Sequence, residues 1–375
     1  MPWLHADVSP AQDVAGKQVR LLLPNYATTN PAMRLPGVAY EHFFAAVPRL
    51  LRTRYTRLYE AFVARSASAR GRRLQARVRA MQPDVILTVA HGYAWITAAA
   101  IARALSVPLI VIVHDDWPRC HSWLLGTAEW IDRQLGTVLH QAAAVFSVSP
   151  FMAQDYERRY QKHSEVMYPS RGEDCPRFDD PAPLRQGRCN IAFAGTIAGR
   201  GYGELLKSAA EAAAAQGGKL LLFSGVTQEL FEQQGLHHPA IEYRRMLPSP
   251  DMIRTMREDA DFLYVPMSFA ASDASNMEKG FPSKLTDYTA VGLPLLIVGP
   301  EYCSAVQWAA KNPGVAAVVT QASEKALGAK LAELISSPAV RQQLARTALE
   351  VGEKCFSPEI ARRIFMQSIT ASGIQ

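Results

Sequence analysis

Apolar residues along this chain fall into short continuous runs, separated by longer stretches in which they recur with a helical period. Val19–Pro24 reads as the first strand, and helical patterns then cover roughly Val38–Val63 and Ala67–Met81. Strand Asp84–Ala90, helix Tyr93–Leu105, strand Pro108–Val113, helix Trp123–Gln141, strand Ala144–Val148 and helix Pro150–Gln161 follow in turn. The alternation then starts again. Strand Asn190–Ala194 leads through a glycine-rich turn to helix Gly203–Ala215, then strand Lys219–Ser224, helix Thr227–Gln234 and a short strand at Ile241–Tyr243. Helix Ser249–Glu258, strand Asp261–Pro266, a loop to Phe281, helix Pro282–Val291 and strands Pro294–Val298 and Val315–Val319 come next, before three further helical segments. Strands that read as unbroken apolar runs with helices between them predict parallel, doubly wound sheets, an α/β fold. Pro169–Arg188 has four prolines, many charges and little periodicity, the marks of a linker. The expected organisation is one Rossmann-like domain over 1–168, the linker over 169–188, a second such domain over 189–355, and a C-terminal helix over 356–375 that packs back on the first domain. Two such sheets in tandem are expected to face one interdomain cleft, with ligands outside the carboxyl ends of the strands.

Composition agrees with two buried cores, since 375 residues with 49% hydrophobic and 20% charged side chains are globular in kind. No apolar run reaches the length of a membrane span. The best stretch, Ile96–Val113, is broken by Arg103 and Pro108, and the first residues show no basic segment leading into an apolar one. The five cysteines, Cys120, Cys175, Cys189, Cys303 and Cys355, form no Cys-x-x-Cys pair and are odd in number, which suits a reducing cytosol better than a zinc site or a disulfide framework. The net charge of +6 is unevenly spread: ten arginines lie between Arg49 and Arg79, with Glu60 the one acidic residue among them. That stretch is either a solvated helix pair or a face for an anionic partner, such as the inner surface of a membrane or a phosphorylated substrate. Nucleic acid is not expected, because no recognisable binding motif accompanies the arginines.

Two segments carry candidate anion chemistry. The first, Gly195-Thr196-Ile197-Ala198-Gly199-Arg200-Gly201, follows a strand and opens a helix. Glycines there let a ligand approach the backbone, the helix N-terminus offers N–H groups, and Arg200 adds charge. It is neither the P-loop nor the dinucleotide pattern, and a turn that is glycine-rich for packing alone would look the same. The second runs from Met277 to Pro294. Pro282 suits a helix start and Gly292 its end; Ser283, Lys284 and Leu285 lie in the first turn, and Asp287 shares a face with Ser283. Ser283 and Lys284 could hold a diphosphate and Asp287 a sugar diol, unless the helix is an ordinary capped one with Lys284 and Asp287 as a surface pair. A third candidate is His114, at the end of an apolar strand and followed by Asp115 and Asp116. An isolated Asp-Asp makes a weak metal lead, and no metal is expected.

The run from Lys279 to Pro294, Lys-Gly-Phe-Pro-Ser-Lys-Leu-Thr-Asp-Tyr-Thr-Ala-Val-Gly-Leu-Pro, resembles the C-domain signature of glycosyltransferase family 4. Phe193-Ala-Gly-Thr resembles that family's phosphate turn, and Asp259–Pro266 and Val145–Ser149 resemble two of its strands. The likeness is specific over about 140–355 and looser over the first 100 residues. It implies a GT-B fold with the acceptor on the N-terminal domain and the nucleotide sugar on the C-terminal one. Gly195, Thr196, Arg200, Ser283, Lys284 and Leu285 would then face the donor diphosphate, and Asp287 the donor ribose. Lys279, Gly280 and Phe281 would form the loop at the donor sugar, with His114 near that sugar. The family's first acid falls on Lys279 here, so either the adjacent Glu278 supplies the contact after a small loop shift, leaving Lys279 toward the diphosphate or solvent, or the contact is lost. The turn after the first strand, Asn25–Pro36, also lacks the usual glycine pair.

What the resemblance implies is transfer of a sugar, with retention and without metal or cofactor, from a nucleoside diphosphate sugar to a glycan, lipid-linked or small-molecule acceptor. Surface glycan or glycoconjugate synthesis in the cytoplasm, with Arg49–Arg79 at the membrane, is the expected setting. A sugar-nucleotide epimerase or hydrolase of the same fold, and a binding subunit without catalysis, are the alternatives.

Overall fold

The structure is a computed structural model that describes residues 19–25, 37–119, 124, 126–185, 189–195, 200–233 and 235–373; the side chains of Arg52 and Arg200 lie outside that description. The chain forms two compact units, Met1–Tyr168 together with Ala361–Gln375, and Pro169–Ile360.

In the first unit β1 (Arg20–Pro24) and β2 (Ala39–Phe43) make a parallel pair. Helices α1 (Thr56–Arg65) and α2 (Ala67–Arg79) follow. Then β3 (Ile86–Val89), α3 (Ala94–Leu105), β4 (Leu109–Val113), α4 (Thr127–Gln141), β5 (Ala144–Ser147), α5 (Pro150–Tyr160) and β6 (Glu165–Val166) build a parallel sheet of order β3-β4-β5-β6. β4 is buried at every position, as its Leu-Ile-Val-Ile-Val run requires of a central strand covered on both faces.

The second unit runs β7 (Ile191–Ala194), α6 (Arg200–Ala214), β8 (Leu220–Ser224), α7 (Gln228–Gln233), β9 (Ile241–Arg245), α8 (Ser249–Asp259), β10 (Phe262–Pro266), α9 (Ala274–Lys279), α10 (Lys284–Val291), β11 (Leu295–Val298), α11 (Ser304–Lys311), β12 (Ala316–Val319), α12 (Glu324–Ile335) and α13 (Pro338–Phe356). Its six strands are all parallel, in the order β12-β11-β10-β7-β8-β9. Successive strands therefore add in one direction from β7 and in the other from β10. The boundary between β7 and β10 is the topological switch point, where open α/β sheets leave a crevice beyond the strand ends. The last helix, α14 (Pro358–Ala371), returns the chain to the first unit. There Ile364, Phe365 and Ile369 cover Ile110, Ile112, Ala144 and Phe146, with the Phe365 and Phe146 rings 5.4 Å apart.

Two expectations need correction. Residues 38–55 are not α-helical: β2 occupies 39–43, Leu50–Arg52 make a single 3-10 turn, and the α-helix begins only at Thr56. The apolar spacing there imitates a helix, but Pro48 cannot continue one, and β1 offers an edge that β2 completes. Arg20 and Arg77 hold Glu41 in that strand, and the Asn25 carboxamide bonds the backbone of Ala45 and Ala46 beyond it. The segment before Phe281 is not all loop, because Met277 is buried on α9, with its sulfur 3.2 Å from the Ser268 N–H. β6 is too short to leave a period in the sequence.

Candidate functional site

At the switch point β7 ends at Gly195, whose φ of 149° suits glycine and few other residues. The Gly195 N–H bonds the Phe223 carbonyl at 3.0 Å, and the Ala194 N–H donates to the Tyr288 hydroxyl at 2.7 Å. Tyr288 belongs to α10, so this bond fastens the end of β7 to the helix that carries the second candidate segment. Lys284 opens that helix, and its ammonium lies 4.6 Å from the centre of the Phe193 ring. A Cβ on Gly195 would sit 3.7 Å from Lys284 Cε and Nζ, an ordinary contact distance that places the turn directly beside the ammonium. The two segments picked out separately in the sequence are thus neighbours. Among the described residues no carboxylate pairs with Lys284, and burial lowers its pKa to about 8. Lys284 is half-buried, and an ammonium partly withdrawn from water favours an incoming anion. The Pro282–Ser283 entry adds a helix N-terminus that no side chain caps. Leu285 is fully buried and its N–H is taken by the Pro282 carbonyl at 2.9 Å. Thr196 lies outside the described residues, as does the Arg200 side chain.

Asp287 stands one turn into α10 and is half-buried. Burial raises its pKa, against a hydrogen bond from Ser249 at the start of α8 and the nearby Arg171 charge. Arg171 is a functional support that the sequence does not reveal, since it falls in the segment that reads as linker. Its buried guanidinium donates to the Thr286 carbonyl at 3.1 Å, the Thr289 hydroxyl at 2.9 Å and the Glu353 carboxylate at 3.2 Å. It therefore clamps α10 against α13. Gly352 makes room for the clamp: a Cβ there would lie 2.2 Å from Arg171 Nη2 and 2.4 Å from Thr289 Oγ1. A glycine inside a helical pattern is the one trace of this arrangement in the sequence.

The loop at 279–281 is anchored from below. The Phe281 ring packs 6.1 Å from Trp308 and 5.7 Å from Phe356, and the Ser304 hydroxyl donates to the Gly280 carbonyl. Lys279 is only 5% exposed, and its ammonium bonds the Ser275 hydroxyl at 3.1 Å. It is therefore not directed into solvent, because α9 turns that position inward. The same turn leaves Glu278 exposed.

In the first unit, His114 follows β4 and is half-buried. Asp115 meets His91 Nδ1 at 3.3 Å, and the His91 ring lies 4.4 Å from that of Trp117. Asp116 is buried and takes Arg159 Nη1 on both oxygens at 3.0 Å. Arg159 also holds Asp155 and Asp132; burial lowers its pKa, but Asp116 above all holds it above the ordinary arginine value. The two adjacent aspartates thus have separate structural partners. Among the described residues no group of three histidine, cysteine or acidic side chains is placed to hold a metal ion.

Residues 10–170 match the sequence model of Glycosyltransferase Family 4. The chain carries a glycosyltransferase domain. The match falls on the N-terminal half, where the resemblance read from the sequence is the looser one, and it makes the protein a transferase by its domain. No match was found among curated proteins. Solved structures extend the likeness to the whole chain. The sucrose-phosphate synthase of Thermosynechococcus elongatus is 15% identical over 98% of this chain and 92% of its own, with a TM-score of 0.69. The UDP-forming trehalose-phosphate synthase of Burkholderia xenovorans is 12% identical over 91% and 90%, with a TM-score of 0.62. Anabaena HepE, solved with UDP and glucose, is 14% identical over 89% and 86%, with a TM-score of 0.58. At these identities the likeness establishes the fold, which is that of the GT-B glycosyltransferases, with two Rossmann-like units.

Proposed function

We propose that this glycosyltransferase moves a sugar from a nucleoside diphosphate sugar, held by the second unit, to an acceptor hydroxyl, with retention of the anomeric configuration. The observation that carries this reading is the half-buried Lys284 ammonium, beside Gly195 at the switch point with no carboxylate partner among the described residues. The likeness to a fold solved elsewhere with UDP-glucose supports the same choice of donor. In the transfer, the bond from the anomeric carbon to the diphosphate oxygen breaks, the acceptor oxygen bonds that carbon, and the acceptor's proton passes to the leaving diphosphate. Negative charge gathers on the leaving diphosphate, where Lys284, Arg200 and the uncapped N-terminus of α10 at Ser283 oppose it without a metal. Asp287 takes the ribose hydroxyls, and Glu278 and His114 serve the donor sugar. A cytoplasmic role in building a surface glycan or glycoconjugate fits this chemistry, and a lipopolysaccharide core galactosyltransferase shares the fold.

Calorimetry with UDP and GDP in the presence of a chelator tests the donor site: one of them should bind, and Lys284→Ala should weaken it by roughly ten- to a hundredfold, the loss of one charge-assisted hydrogen bond. Binding that appears only with Mg²⁺ or Mn²⁺ would rule out the metal-free site. A binding subunit without transfer is the second reading, favoured by the buried Lys279 in place of an acid. Glu278→Gln separates the two: turnover that is lost while UDP binding persists assigns Glu278 to the reaction.

A further inference from the structure

The arginine-rich stretch divides into two kinds of residue. Arg65, Arg70 and Arg77 brace the fold: Arg65 bonds the Thr127 hydroxyl and lies over the Trp130 ring, Arg70 bonds the Ala45 and Val63 carbonyls, and Arg77 bonds the His42 carbonyl and Glu41. Arg49, Arg54 and Arg57 instead point into solvent, with Arg54 stacked 4.8 Å over the Tyr55 ring. Between and beside them the chain exposes Phe44, Val47, Leu50, Tyr55, Leu58 and Phe62. Phe44, Leu58 and Phe62 are 68%, 61% and 65% exposed, so most of each apolar side chain faces solvent.

These residues share a built surface. Leu58 and Phe62 are four apart on α1 and point the same way, while Ala61, Val63 and Ala64 carry that helix's buried face. The Tyr59 ring stacks on Phe62 at 6.2 Å, and its hydroxyl accepts the Val47 N–H at 2.7 Å. The 44–50 segment is pinned from the other side by the Asn25 carboxamide and by Arg70. An apolar strip is thus held rigid and bordered by arginines.

We propose that this strip, Phe44 to Phe62, docks the protein on an anionic lipid surface, its apolar side chains entering the interface and Arg49, Arg54 and Arg57 meeting the headgroups. Charge decides the occupant. Two copies meeting through this face on a twofold axis would set arginine against arginine. An anionic bilayer offers hydrocarbon for the strip and negative charge for its border, the combination that holds interfacial helices. This inference does not depend on the donor site.

Flotation of the full chain on a sucrose gradient, with vesicles of phosphatidylglycerol mixed with phosphatidylcholine, tests it. The protein should rise with the anionic vesicles at low salt and stay down with pure phosphatidylcholine. The double variant Leu58→Ser with Phe62→Ser, and separately Arg54→Glu with Arg57→Glu, should each cut the floated fraction by about tenfold or more. All four positions are exposed, so melting curves close to the parent's are expected and confirm that both variants are folded. The proposal is overturned if the parent fails to float, if the serine variant floats as the parent does, or if light scattering shows a parental dimer that the serine variant dissolves. It is equally overturned if a single-stranded oligonucleotide binds where vesicles do not.

Discussion

Burial holds Lys284 at a pKa of about 8, and this one shift has opposite consequences for binding and for stability. A diphosphate prefers the ammonium, so free protein above pH 8 must first take up a proton before it binds. Donor affinity should therefore fall as pH rises from about 7 to 9, by up to tenfold for each unit above 8. Titrations at several pH values check this, and the slope should vanish in Lys284→Met. Folding runs the other way. The folded pKa lies below that of an unfolded lysine, so between about 8 and 10.5 the unfolded chain holds more protons and stability from this group rises with pH. Lys284→Met should accordingly stabilise the protein at pH 7, with the gain shrinking toward pH 10.

At the scale of elements, the position of α10 depends on a residue from outside it. Arg171 satisfies the Thr286 carbonyl and the Thr289 hydroxyl and reaches Glu353, so α10 and α13 are joined through one guanidinium. Arg171→Met should destabilise the protein by about 2–4 kcal/mol, because buried acceptors lose their donor. Gly352→Ala should do comparable damage by overpacking, on the order of 1–3 kcal/mol. Thermal melts measure both, and each variant should also bind UDP more weakly, since α10 carries Lys284; unchanged binding would detach the clamp from the site. The two variants indicate what a sequence can show. The β–α alternation, the glycine turn after β7 and the Pro282-to-Gly292 helix are legible because each depends on neighbours along the chain. The β2 strand is not, because its Ala-Tyr-Glu-His-Phe run has no strand pattern until β1 lies beside it. Arg171 is not legible for the same reason: its partners are more than a hundred residues away. Lys279 reads as a loop residue because nothing in the local pattern announces α9, on which it and Met277 are buried.

The whole molecule is two units, one of which is discontinuous in sequence: Ala361–Gln375 completes a unit begun by Met1–Tyr168. Ile364, Phe365 and Ile369 lie over the β4–β5 sheet face, and the Ser372 hydroxyl bonds the Ala143 carbonyl at 3.1 Å. A chain ending at Ile360 should lose about 3–6 kcal/mol from the first unit, the value of burying two or three such side chains. The second unit keeps its own sheet and clamp in that chain, so it should still bind UDP. A melt in which UDP raises one transition and the truncation lowers another would confirm this division; a single shared transition would contradict it.

The same discontinuity fixes an order of events on the ribosome. The first unit's residues up to Tyr168 are synthesised early, yet Ile110, Ile112, Ala144 and Phe146 wait for α14 to cover them. At about 5–20 residues per second, the intervening Pro169–Ile360 takes on the order of 10–40 s to make. During that interval the nascent chain presents an apolar sheet face, a target for chaperones and for other nascent chains. The second unit, contiguous in sequence, can close first, and emergence of α14 then lets the first unit finish. Chains that terminate early would keep a folded second unit and an uncovered first, which leaves them open to proteolysis.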